Sequence, residues 1–323
     1  MADAKESYQP SASTVRARFV LELAAGMGAS EEQPFREPEV RLKAQRVSGG
    51  PFLLSASSTL DGLTRVVGGE LDMAFLNPSA ALAVAHRGTG SAFKTPQPVR
   101  AITVLPSRDQ CLFAVRSETG FTHVEDIGRA RYPLKLSLRG LDQHWLHFML
   151  DDIFAAAGFS LADIVSWGGE IRKEGHIPNP GTARFDSLIN GEVDGIFDEG
   201  VHGWADAMVP AGMTVLHLRE DTVARLEAIG YRRDYLLKSR YPTLPEDVLT
   251  LDFSGWPVFV RDDADDDLVR HICAGLEARR EMIPWEGGGP LPLDRMCRDV
   301  PEAPLGVPLH PAAERFWTAC GYL

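Results

Sequence analysis

Paired cysteines, a basic tract and a clean apolar run near the start are all missing from this sequence. The four cysteines, Cys111, Cys273, Cys297 and Cys320, form no CxxC pair. Metal binding and thiol redox chemistry are therefore not indicated, and incidental or buried thiols are the better reading than a disulfide. Acidic residues outnumber basic ones by 45 to 33, a net charge of -12. No Lys/Arg-rich run offsets that excess, which argues against a non-specific nucleic-acid binder. The opening residues lack a basic region followed directly by an apolar stretch, so they do not read as a secretory signal. Residues 19–27 are mostly apolar but include Glu22 and are too short to span a bilayer. The expected location is the cytoplasm on the sequence as it stands, or the periplasm if this is a piece of a longer chain.

What is present suffices for a sizeable core and two domains: 323 residues, with glycine and proline below the levels of disordered chains. One phrase occurs twice. Gly69-Glu70 leads into "LDMAFLNPSA" (71–80), and Gly191-Glu192 leads into "VDGIFDEG" (193–200). Each reads as a short buried strand that ends in polar residues.

The surrounding pattern is strand, loop, helix, repeated. Thr14–Ala25 has apolar residues near helical spacing, and "VRLKAQRVSG" (40–49) alternates with period two. "SASSTLDGLTRVVGGE" (55–70) reads as a helix that Ser57, Ser58 or Thr59 can cap. Strands are predicted at 71–79, 98–106, 111–115 and 132–140, with a long helix from 141 to 159. "ADIVSWGG" (162–169) reads as a strand, "TARFDSLINGE" (182–192) as a helix and 193–199 as a strand. A helix at 219–230, an aromatic and proline-rich excursion at about 231–250, a strand "WPVFVR" (256–261) and two helices complete the chain. The acidic run Asp262 to Asp267 suits a helix start rather than a calcium loop.

Such alternation predicts an α/β protein with two lobes, each a mostly parallel sheet flanked by helices, joined by a two-strand hinge. The expected division is 1–108 with 253–323 as one lobe and 109–252 as the other, the 217–252 excursion packing on either. Strand ends and helix starts then line a cleft, where open sheets bind ligands.

Four stretches carry a family likeness: residues 57–80, 113–140 and 185–200, and the tail made of 226–278 with "VPLHPAAERFWTACGYL" (307–323). Their order and spacing resemble the TAXI-type substrate-binding proteins of TRAP transporters, within the type II periplasmic-binding-protein fold. The family's exported signal has no counterpart here, and its glycine-rich first strand is truncated, matched only through Tyr8 and Pro10. The resemblance implies a small-molecule carboxylate or amino acid as ligand, transporter subunits in a membrane as partners, and no cofactor.

The candidate ligand residues follow from strand-end chemistry. Ser55, Ser57, Ser58 and Thr59 precede a helix, where hydroxyls and free backbone N–H groups can hold a carboxylate or simply cap. Asn77 and Ser79 end the first repeated strand. Ser137, Arg139, Gly140, Gln143 and His144 occupy the matching turn, and the Arg139 guanidinium fork suits a carboxylate. Asp198, Glu199 and Trp204 end the second repeated strand. There a carboxylate can take an ammonium group or form a local ion pair. His144 and His147 make an HxxH without an intervening Glu or a third ligand, so no metal is expected. Non-catalytic binding with hinge closure is the leading expectation, by a monomer or weak dimer. The rivals are an enzyme on the same fold, acting on a small carboxylic acid through Asp198, Glu199 and His202, and a sensor or interaction module.

Overall fold

The computed structural model describes residues 12–28, 38–42, 52–57 and 59–323. Tyr8, Pro10, Ser58, most of the expected strand 40–49 and the side chain of Ser57 lie outside the described residues. The described strands, in chain order, are β1 (Glu39–Leu42), β2 (Phe52–Ser57), β3 (Met73–Leu76), β4 (Val99–Leu105), β5 (Leu112–Arg116), β6 (Lys135–Leu138), β7 (Glu170–Lys173), β8 (Gly195–Asp198), β9 (Met213–Val215), β10 (Arg233–Leu236), β11 (Val248–Leu251) and β12 (Trp256–Arg261).

They form two five-stranded sheets and a hairpin. The first sheet runs β1-β2-β3-β12-β4, the second β7-β6-β8-β5-β9, and β10-β11 pair alone. In the first, β2 and β3 are parallel and β12 lies antiparallel between β3 and β4. In the second, β7, β6 and β8 are parallel, and β5 lies antiparallel between β8 and β9. The exceptional strand sits fourth in both orders. In each case it is the strand by which the chain crosses from the other lobe. The protein is thus a two-lobed α/β fold with helices on both sheets.

Burial explains the patterns. Strands β5 and β8 are central, so "LFAV" and "GIFD" are buried at every position. In β3, Ala74 and Leu76 are buried while Met73 and Phe75 are half-exposed, the alternation of a strand with two unlike faces. Arg139 and Asp198 lie just beyond and at the C-terminal ends of the parallel strands β6 and β8.

The two crossings, residues 106–111 and 252–255, run side by side. The N–H groups of Cys111, Phe253 and Gly255 donate to the carbonyls of Leu251, Asp109 and Ser107 at 2.9–3.1 Å. A second connection joins the lobes elsewhere. Helix Ser79–Arg87 packs beside Gly230 and Tyr231, whose hydroxyl donates to Asp152 at 2.7 Å. Ser91 bonds Asp152 and the Phe148 carbonyl of helix Trp145–Ala157. A single apolar core runs through Leu82, Val84, Phe113, Leu150, Phe154 and Leu226 from one lobe into the other.

Several local expectations change. Residues 161–166 are a helix, not a strand, because Ser160 caps them. Its hydroxyl accepts the Asp163 N–H at 3.1 Å and donates to the Asp163 carboxylate at 2.7 Å. The strand follows at β7. Phe52–Ser57 is a strand rather than the lead-in to a helix, and the helix is Leu60–Val67. The excursion at 231–250 contains the β10–β11 hairpin. Asp265 caps helix Asp266–Arg279 as read, accepting two backbone N–H groups. The helix expected at 14–25 spans Ala12–Gly28, with Phe19, Val20, Leu21 and Leu23 exposed rather than turned to a core.

Candidate functional site

The floor of the interlobe contact is a buried ionic cluster. β8 ends at Asp198, whose side chain is fully buried. One of its oxygens takes Arg139 and the other takes Arg184. Arg139 also pairs with Glu199. Arg184 comes from helix Ala183–Ile189, and its Nε donates to the Ser137 hydroxyl at 3.0 Å. Strands β6 and β8 are hydrogen-bonded neighbours, which is why the turn after one and the tip of the other converge.

A third carboxyl enters from the crossing. Asp109 accepts the N–H groups of Gly200 at 2.8 Å and Val201 at 3.3 Å, and that of Gln110 at 2.8 Å. Its carboxyl also hydrogen-bonds that of Glu199. Two carboxyls in contact require a proton between them. Burial, helped by the neighbouring Asp109 and Asp198, raises Glu199 to about 8 against the pull of Arg139. Burial also raises Asp109, opposed by its hydrogen bonds to Glu199 and the backbone. Two guanidiniums against three carboxyls come to zero net charge when one proton is held. That balance avoids an uncompensated buried charge, which costs several kcal/mol.

The lobes touch directly above this cluster. The start of helix Leu60–Val67 meets the start of helix Trp145–Ala157: the Leu60 N–H donates to the Gln143 carbonyl at 3.0 Å, and Thr59 bridges to His144. Gln143 adopts the left-handed conformation, φ 59°, to present that carbonyl. The His144 ring stacks 6.4 Å from Phe253 in the returning crossing, and its Nε2 lies 3.2 Å from Arg139 Nη1. Burial and Arg139 hold the His144 imidazole well below its ordinary pKa, so it is neutral.

The remaining candidates divide plainly. Gly140 and Gln143 are exposed at the turn, and Asn77 is half-buried at the tip of β3. Ser55 is buried within β2, and Ser79 is buried with an unpartnered hydroxyl at the start of helix Ser79–Arg87. Ser137 is buried beneath Arg184. Trp204 is 1% exposed and donates from Nε1 to the Glu199 carbonyl at 3.1 Å, so it braces the strand tip. His202 faces the other way, with Nε2 at 2.7 Å from the Arg108 carbonyl and Nδ1 at 2.8 Å from the Tyr241 hydroxyl. His147 lies 3.1 Å from the Leu141 carbonyl. Asp109 and Arg184 were not singled out from sequence. The signal for Asp109 was a polar triplet, 108–110, between two apolar strands. For Arg184 it was only a charge on the second residue of a capped helix.

An open groove of about 530 Å³ lies away from this cluster, lined by His123, His217, Arg219, Tyr235 and Asp247 among others. Among the described residues no group of His, Cys, Asp and Glu is arranged to hold a metal ion.

No family model matches the chain, and no curated protein matches it. Solved structures with a similar course include a periplasmic transporter protein at 12% identity, covering 98% of this chain and 91% of that one with a TM-score of 0.37. The substrate-binding protein of an amino acid ABC transporter matches at 12% identity over 69% of this chain and 72% of its own, TM-score 0.29. A protein from Bordetella bronchiseptica RB50 matches at 13% identity and TM-score 0.33; 69% of this chain is covered, and it spans 58% of that one. The two-lobed assignment rests on the strand order itself.

Proposed function

We propose that the chain binds a small organic acid or amino acid where the two lobes meet, as the solute-binding component of a TRAP-type transporter of the TAXI kind. One observation carries the reading. Arg139 stands at a strand-to-helix turn, under the contact of two helix starts, and its Nη2 is shared between the Asp198 and Glu199 carboxyls. An ionised ligand carboxylate pairs with a guanidinium more strongly than the protonated Glu199 carboxyl does, so it can take the place of Glu199. Asp198 is different: both its oxygens are committed to guanidiniums, so it holds Arg139 in place rather than meeting a ligand. Parting the two helix starts uncovers half-buried Thr59 and the approach to Arg139 beside the exposed Gln143.

The acid–base alternative loses its geometry, since His202 faces Arg108 and Tyr241 while Asp198 faces two arginines. A panel of pyruvate, glutarate, L-glutamate and neutral amino acids tests the binding reading by calorimetry on the full chain. At least one member is expected to bind, and Arg139→Lys, which keeps the charge but loses the fork, to weaken it about tenfold or more. Equal affinity in the variant, or no binding across the panel, overturns the assignment.

A further inference from the structure

The Asp109–Glu199 contact does more than complete a charge balance. Asp109 belongs to the crossing between lobes, Glu199 to the tip of β8, and Arg139 to the turn that the ligand is proposed to reach. Glu199 therefore stands between two demands. Its ionised form is drawn to the Arg139 guanidinium; its protonated form hydrogen-bonds Asp109, whose own carboxylate is fixed by three backbone N–H groups.

We propose that Asp109 and Glu199 form a proton gate on Arg139: with one proton held between them Glu199 competes weakly and Arg139 accepts a ligand carboxylate, and without it Glu199 claims the guanidinium for itself. This rests on the binding reading above and adds its regulation. The proton comes from solvent and returns to solvent, and no bond other than O–H is made or broken.

The surroundings leave this pair as the titrating element in the working range. Burial raises Glu199 to about 8. Acting on it are Asp198 on its own strand, Arg139 from the turn and Asp109 from the crossing, with Cys111 close enough to feel it. Arg184 and neutral His144 lie behind Asp198 and Arg139, and Asp252 acts on Cys111. The Cys111 thiol is pushed well up by burial, and Asp252 is raised only to about 6. Tyr241, which feels Asp109, is raised to about 12.

The test is the dissociation constant of pyruvate from pH 6 to 9.5 and of glutarate from pH 7 to 9.5, ranges in which each ligand is essentially fully ionised. In the wild type, affinity is expected to be flat to about pH 8 and then to fall about tenfold per pH unit, the slope of one coupled proton. Glu199→Gln is expected to bind with a flat profile throughout. Asp109→Asn removes the neighbouring carboxylate, so Glu199 ionises sooner and the break moves to lower pH. A reading without ligand accompanies it: Trp204 bonds the Glu199 carbonyl, so its emission, taken as the difference from Trp204→Phe, is expected to step near pH 8 in wild type and not in Glu199→Gln. Binding with a flat wild-type profile, or the same step in Glu199→Gln, overturns the gate while leaving the binding site standing. No binding of any panel member sinks both.

Discussion

At Asp198 two guanidiniums divide one carboxylate between them, and neither oxygen sees water. Changing it to Asn keeps the shape but strands two buried cations, a change that costs about 3–5 kcal/mol when one partner of a buried pair is removed. Glu199→Gln differs although the residue is next in line. Glu199 already holds a proton at pH 7, so the neutral amide removes one hydrogen bond, worth about 0.5–1.5 kcal/mol, and it also spares the fold the cost of keeping that carboxyl protonated above its ordinary 4.5. Denaturant unfolding at pH 7 is expected to separate the two variants clearly; equal losses would mean that Glu199 is ionised in the fold. The sequence reading set Arg139, Asp198 and Glu199 as candidates at one cleft, because strand ends and helix starts of an α/β sheet lie at one edge. It did not show who faces whom. Arg184 looked like an ordinary charge on a surface helix, and only the packing of that helix across β6 and β8 turns it inward. Trp204 read as a ligand-facing aromatic, but a three-residue turn after Gly200 folds it back under the strand tip.

Among the elements, the paired crossings are the most constrained. Gly255 adopts φ 78°, and a Cβ there meets Ser79 Oγ at 2.4 Å, Pro304 Cδ at 2.6 Å and a Val104 methyl at 2.9 Å. Gly255→Ala therefore combines a left-handed backbone with three close contacts and is expected to cost more than the backbone alone, about 1–2 kcal/mol. Gly69 has nearly the same φ, 76°, with nothing within 4 Å. Gly69→Ala is expected to cost only the backbone share, and thermal unfolding of the pair isolates the packing contribution. Equal shifts would mean that the crossing yields. The alternation of strands and helices made the two-sheet plan legible, since each buried strand announced itself by an apolar run ended by polar residues. The misreadings came where local chemistry outvoted composition. Ile164-Val165 looked like strand, yet the Ser160–Asp163 cap makes it helix. Ser55 and Ser57 looked like the approach to a cap, yet parallel pairing of β2 with β3 holds them extended.

The whole molecule has two lobes but a continuous apolar core, so wide gaping is not its motion. Relative domain movement is the default only where the interface is small and polar. Opening is expected to be local, with amides at the touching helix starts, Leu60 and Leu146, exchanging hydrogen faster than Leu226 or Leu150 in the shared core. The same buried cluster sets how global stability depends on pH. Glu199 and Asp252 are raised in the fold from ordinary values of 4.5 and 3.8 to about 8 and about 6. The folded chain thus keeps protons that the unfolded chain has released, and their contribution is full below the ordinary carboxyl values and lost as pH rises through the folded ones. Buried and half-buried histidines act oppositely. His86, His144, His147, His217 and His310 are all held below 6.5, mainly by burial, so the unfolded chain binds their protons more readily and stability falls as pH drops below 6.5. The two trends overlap in acid and separate above 6.5, where most of the Asp252 contribution is spent and Glu199, in contact with Asp109, is the carboxyl raised to about 8. Between pH 6.5 and 8 the wild type is expected to lose stability with a slope of up to about 1.4 kcal/mol per pH unit, the value for one proton. Glu199→Gln is expected to be flat in that window, and the wild-type profile to join it only below about pH 4.5, the ordinary Glu value, where the carboxyl is protonated in both states. Urea midpoints at half-unit steps measure both, and parallel profiles between 6.5 and 8 would show that no proton resides at the Asp109–Glu199 contact.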